Sequence, residues 1–210
     1  MNLSCGIRFP HGILLLALWL SISGCASFPN KEFPTYTITH LQPLPNKPSM
    51  DYDVRSYTMS YTLEDKYNYY RITEETFEQH VNEIFVESDL FSRFNSGIGG
   101  ADYHSSFSMD MRHHFIINFV TAWISAFSLA ILPAYNKIDY TLCVEVDKGG
   151  EFFKRYEYQH DVTTWSELFL IFWAPSHWPL EVKYQALDQM LIAFLHDFQQ
   201  DIVMEHAGQP

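Results

Sequence analysis

The chain has 210 residues, of which 47% are hydrophobic and 17% aromatic, so it holds enough apolar material for one domain with a real core and is not a disordered chain. Thirteen Lys and Arg against 25 Asp and Glu give a net charge of -12, which excludes a broad basic face for gripping DNA or RNA. Only 18% of residues are charged, a sparse surface charge that suits a chain living beside a membrane.

Residues 1–24 read as a signal segment. Arg8 stands alone in a short n-region without acids, and the apolar run Gly12 to Leu20 is too short to span a bilayer. The run leads into Ile22-Ser23-Gly24-Cys25, a branched aliphatic residue, two small residues and a cysteine. This stretch resembles the bacterial lipobox; the alternatives are an ordinary signal peptide cut after Ser23 or Ala26, or an uncleaved anchor. The resemblance implies cleavage before Cys25, a diacylglyceryl thioether on Cys25 and an acylated amine. Two or three acyl chains, at about 0.8 kcal/mol per buried methylene, anchor stably where one is marginal. Loss of Arg8 with the signal takes the net charge from -12 to -13. Ala26 and Ser27 follow the cysteine with no Asp, which in enteric-type sorting favours the periplasmic face of the outer membrane over the inner membrane. Cys143 is then the remaining thiol, expected as a small buried residue, with an intermolecular disulfide or a reactive thiol as the alternatives, and neither a disulfide framework nor a thiolate metal site is expected.

Residues 25–51 are expected to form the lipidated Cys and a Pro-rich tether, because Pro29, Pro34, Pro43, Pro45 and Pro48 fall there without apolar periodicity. Residues 52–206 are expected to fold as a single α+β periplasmic domain. Tyr57, Met59, Tyr61 and Leu63 alternate with polar residues as in a strand. Thr73 offers a cap, Ile72 and Phe77 a hydrophobic staple, and Phe77, Val81, Ile84 and Phe85 a helical stripe ending near Glu87. Gly97, Gly99 and Gly100 read as turn residues, since no strand precedes and no helix follows them as phosphate binding requires. Tyr103, Ser105, Phe107, Met109 and Met111 alternate in a second strand.

The uncharged stretch 115–132 reads as an apolar helix with two faces. His114, Asn118, Thr121, Ser125 and Ser128 make a small polar stripe, and Ile116, Phe119, Val120, Trp123, Phe127 and Ile131 a bulky one. The preferred expectation puts the bulky face in the core and the polar stripe outward; the alternative is a membrane span. Ile138 to Val146 alternate clearly, Asp147-Lys148-Gly149-Gly150 makes a hairpin turn, and Phe152, Tyr156 and Tyr158 continue the return strand. Thr164-Trp165-Ser166-Glu167 matches a capping box opening a short helix through Trp173. Trp178-Pro179 opens a last amphipathic helix with Leu180, Tyr184, Leu187, Leu191, Phe194 and Phe198 at helical spacing. The expected fold is α+β, a four-stranded, mainly antiparallel sheet covered by helices.

Ser88-Asp89-Leu90-Phe91-Ser92-Arg93, Ala101-Asp102-Tyr103, Ile131-Leu132-Pro133 and Tyr140-Thr141-Leu142, together with the lipobox, resemble a class of uncharacterised Gram-negative outer-membrane lipoproteins. The order of elements is similar to small periplasmic α/β modules such as the lipopolysaccharide-assembly lipoprotein and the N-terminal domain of the Tol translocation protein. Those modules act by binding partners, and the resemblance carries over no catalytic residue. Nor do the residues supply one. His113-His114 would point to opposite faces of a strand, Ser105 and Ser106 near His104 lack a nucleophile elbow, and Glu74, Glu75, Glu78, Asp188, Asp197 and Asp201 fit solvated helix faces. No cofactor or metal is expected. The reading is a lipid-anchored, non-enzymatic binding or accessory module, with membrane lipid bound through acylated Cys25 and an envelope protein as partner. The alternatives are a membrane-integrated accessory subunit spanning through 115–132, or an envelope enzyme.

Overall fold

Period-two alternation forms the middle of the sheet in a computed structural model of the chain, which describes residues 24–29, 36–44, 46–63, 66–71, 75–97, 99–128, 132–167 and 179–207. Strands β5 (Tyr103–His113), β6 (Ala134–Lys148) and β7 (Glu151–Glu167) are antiparallel neighbours. Their register sets Phe107 beside Val144 and Met109 beside Leu142, so the apolar halves of the alternation share one face. Gly149 and Gly150, at φ of 59° and 87°, join β6 to β7. Two positive φ values in succession are what a tight hairpin following the strand twist requires. Strand β2 (Ser49–Leu63) runs parallel to β5. Its other edge carries β4 (Arg93–Ser96), parallel, and β3 (Lys66–Arg71), antiparallel. Strand β1 (Gly24–Pro29) adds antiparallel to β7.

The expected four-stranded, mainly antiparallel sheet is therefore corrected. Six strands lie in the order β1-β7-β6-β5-β2-β3 with β4 beside β2, and the sheet is mixed because β2 runs parallel to β5 and β4. The fold remains α+β. Three α-helices are present among the described residues: α1 (Glu75–Ser88), α2 (Phe115–Phe127) and α3 (Pro179–Ala207). Helix α2 ends at Phe127, short of the expected 132. The expected helix opening at Thr164 is corrected too, because Thr163 to Ser166 pair with β1 on one side and β6 on the other, and ladder bonds on both edges outweigh a local capping signal. The rest of that expected helix, 168–173, lies outside the described residues, as do Ile72, Thr73 and Glu74.

One face of the sheet is closed by α1 and α3. Phe85 of α1 stacks on Phe94 and Phe194 at ring-centroid distances of 4.5 and 5.8 Å and meets Phe107 edge-on at 5.5 Å. Phe194 and Phe198 extend the cluster along α3. Aromatic pairs in offset and edge-to-face arrangements add about 0.5–1.5 kcal/mol each beyond the area they bury. Tyr156 and Tyr158 of β7 donate hydrogen bonds of 2.6 Å to Asp201 and Asp197 of α3, which fixes the helix along the strand. Burial and those acidic acceptors push both phenol groups upward, and burial alone raises Tyr140 to about 12.

The segment 25–51, expected as a tether, contributes to this structure. Ala26 and Ser27 are fully buried in β1, Ser27 Oγ lies 2.6 Å from Thr164 Oγ1, and Leu44 belongs to the core cluster. A 3-10 turn at Ile38–His40 lies near α3, where the Gln199 side chain bonds the Gln42 backbone and the Tyr36 and His196 rings stand 4.9 Å apart.

Candidate functional site

Helix α2 sits where the sheet leaves an open edge. Strand β5 stops at His113, paired with Ile138, so Ala134 to Lys137 of β6 have β7 on one side and no β5 residue on the other. The polar stripe of α2 fills that gap. Asn118 Oδ1 accepts the Lys137 amide at 3.0 Å, and Thr121 Oγ1 lies 3.4 Å from the Tyr135 amide and 2.9 Å from its carbonyl. The Asn118 amide also bonds the Asn136 side chain, His114 Nε2 meets Asp139 at 2.6 Å, and Ser125 is buried. An unpaired backbone group in a buried edge costs about 1–3 kcal/mol, so short polar side chains in strand-like positions are what the gap demands.

The consequence is that the bulky face turns outward, which corrects the expectation that it lies in the core. Phe119 is 51%, Trp123 52% and Phe127 80% exposed. Phe115, Phe119, Trp123 and Phe127 recur every fourth residue, with successive ring centroids 5.8, 6.0 and 5.6 Å apart. Ile116, Val120 and Leu132 widen this exposed apolar strip, and no charged residue interrupts it. Monomeric proteins rarely leave so continuous an apolar patch bare without using it. No helix among the described residues is long and apolar enough to cross a membrane. The 13 residues of α2 rise about 20 Å.

The expected lipidation residue lies at the same end of the sheet. Cys25 pairs with Ser166, and Ser166 pairs with Ala134, next to the Tyr135 that Thr121 holds. Two strand spacings, about 10 Å, separate the Cys25 backbone from the strand that α2 borders. Gly24 pairs with Glu167, while Ile22 and Ser23 lie outside the described residues. Neither the role of α2's polar stripe nor its nearness to Cys25 was legible locally, since both depend on where β5 ends and on the pairing of β1 with β7.

The polar residues elsewhere form networks that hold the fold. Asp53 Oδ1 accepts from Ser106 at 2.6 Å and lies 3.0 Å from His104 Nε2, so the hydroxyl is committed to the carboxylate and not to the imidazole a hydrolase would use as base. Cys143 is half-buried on β6, opposite Ser108 and Glu157. Asp51, buried under the glycine loop, accepts the Gly99 and Ala101 amides at 2.7 and 3.1 Å, so the donors a phosphate would need are occupied from within. His80 bonds Asp188 across α1 and α3 beside a cleft of about 270 Å³ that Glu83 and Tyr184 also line. That bond raises the imidazole pKa. Glu78 accepts from Ser96 at 2.7 Å, and Asp197 and Asp201 hold the tyrosines of β7. No cluster of three metal-ligating side chains occurs among the described residues.

No protein-family model matches the chain, and no curated protein matches it. Among solved structures, the chain is similar to a Xanthomonas campestris protein of the family DUF330, at 10% identity and a TM-score of 0.31, over 77% of this chain and 86% of that one.

Proposed function

We propose that the protein is a lipid-anchored envelope protein at the periplasmic face of the outer membrane, working as a non-enzymatic binding or accessory module. The observation that carries the reading is the register of Cys25 in β1. With cleavage before Cys25, the lipidated residue is the first member of the strand, and its pairing with Ser166 ties the acyl anchor directly to the sheet. The apolar run Gly12 to Leu20 and the small residues before Cys25 supply the processing signal.

A partner has a surface to meet. The sheet face turned away from α1 and α3 carries charges of both signs, with Arg55 and Arg155 on Glu145 and with Lys137 between Asp139 and Asp161. Such a mosaic gives specificity and orientation to a protein partner more than raw affinity. The test is metabolic labelling with palmitate followed by membrane fractionation of wild type and Cys25→Ser. Labelled wild type sedimenting with the outer membrane, and an unlabelled variant that accumulates as precursor, are expected. Equal labelling of the two chains would overturn the reading.

A further inference from the structure

We infer that the outward face of α2 is a membrane-contact surface, on which Phe119, Trp123 and Phe127 enter the interfacial zone of the bilayer that receives the Cys25 anchor. The inference rests on the proposed lipidation for its position and on the structure for its chemistry.

The helix has no freedom to hide its apolar side. Asn118 and Thr121 are committed to the sheet edge, and turning the aromatic strip inward would strip the Tyr135 and Lys137 amides of their acceptors. The strip is therefore a built feature of the surface, running the length of α2 through Phe115, Phe119, Trp123 and Phe127. An amphipathic helix lying in the plane of a membrane buries such a face about 5–10 Å into the boundary between headgroups and acyl chains. Aromatic rings, Trp above all, favour that depth.

The occupant follows from the segment that precedes β1. Residues 1–23 lie ahead of β1, and their apolar run, or the acyl chains that replace it after cleavage, belongs in lipid. Gly24 and Cys25 enter the sheet at once, opposite Glu167 and Ser166, with no spacer between anchor and fold. The residue that carries the anchor thus stands about 10 Å, two strand spacings, from the strand that α2 borders, at the same end of the sheet. Trp165, paired with Ala26 and 5.5 Å from the Tyr135 ring, is partly exposed at that end. A second copy of the chain or a protein partner would need to reach a face that the anchor already holds beside lipid.

The test places a photoreactive benzophenone side chain at Phe119, at Trp123, or at Phe152, in the full chain expressed in its own membranes with ³²P-labelled phospholipid. Phe152 is the control, an exposed aromatic residue at the far end of β7 from Cys25. Lipid adducts several-fold stronger at Phe119 and Trp123 than at Phe152 are expected. Adducts to a second copy or to another protein, or equal lipid labelling at Phe152, would overturn the inference. Palmitate labelling of the same chains separates the two readings. Acylated Cys25 without lipid adducts at α2 defeats the contact surface alone, and lipid adducts without acylation defeat the anchor alone.

Discussion

Thr121 Oγ1 lies across both backbone groups of Tyr135, 3.4 Å from its amide nitrogen and 2.9 Å from its carbonyl oxygen. A single helical side chain thereby does for β6 what a neighbouring strand would do. The same hydroxyl is 2.9 Å from Ile117 O one turn back, so its one proton is shared between helix and sheet, and the amide contact is the part no other residue supplies. From this pairing follow the orientation of α2 and the exposure of its aromatic strip.

Thr121→Val keeps the shape and removes the acceptor, so it should destabilise the fold by about 1–3 kcal/mol, the cost of an unsatisfied buried donor. Asn118→Leu, which leaves the Lys137 amide without its acceptor, should cost a similar amount. Chemical denaturation of both variants checks the size of the effect. A neutral result at both positions would mean that water satisfies the β6 edge.

Trp123→Ala should lower stability by less than about 1 kcal/mol, because a half-exposed ring leaves no cavity when removed. Phe194→Ala, at a fully buried position of the aromatic cluster, should cost about 3–5 kcal/mol. The contrast between the two, read in the same denaturant titration, distinguishes a surface aromatic strip from a core one.

The sequence made some of these elements readable and hid others for physical reasons. Met109, Met111, Leu142 and Val144 alternate because one face of β5 and β6 is buried and the other is not, and that asymmetry writes itself into residue order. The start of α2 was equally plain. Its orientation was not, because a bulky face and a polar face are both visible in the sequence while the sheet edge that selects between them is created by the end of β5 at His113. Strand β1 left no periodic trace, since six residues ending in Pro29 are held by pairing to β7, more than a hundred residues away. At Thr164 the local signal was real but lost to long-range pairing.

Two histidines should give stability slopes of opposite sign. The hydrogen bond that its ring donates to Asp188 raises His80 above the ordinary 6.5, so the folded state binds this proton more tightly than the unfolded chain. Its contribution is complete below pH 6.5 and is lost as pH rises through the folded pKa. His160 is lowered by burial, so the unfolded chain protonates first and the fold loses stability as pH falls below 6.5. Relative to wild type, His80→Gln should therefore be most destabilised at acid pH, while His160→Gln should flatten the acid limb of the wild-type curve. Unfolding free energies measured across pH 5 to 8 would show both, and a His80→Gln deficit that grows with pH would contradict the assignment.

A chain beginning at Met50 should be clearly less stable than one beginning at Cys25. Leu44 lies in the core cluster, and losing one buried leucine alone costs about 2–5 kcal/mol. Ala26 and Ser27 are fully buried as well, and their removal leaves Val162 to Glu167 of β7 as an open strand edge. An open edge does more than weaken the fold, because its unpaired amides and carbonyls form a template for another chain. The truncation should thus show both a loss of at least about 3 kcal/mol in denaturant and self-association on concentration, the second effect absent from Leu44→Ala, which weakens the core but keeps β1. Sedimentation of the two variants at equal folded fraction separates edge from core. If the truncated chain unfolds at the wild-type midpoint and remains monomeric, β1 and the Leu44 segment are not integral to the domain, and the direct coupling of the Cys25 anchor to the sheet fails with them.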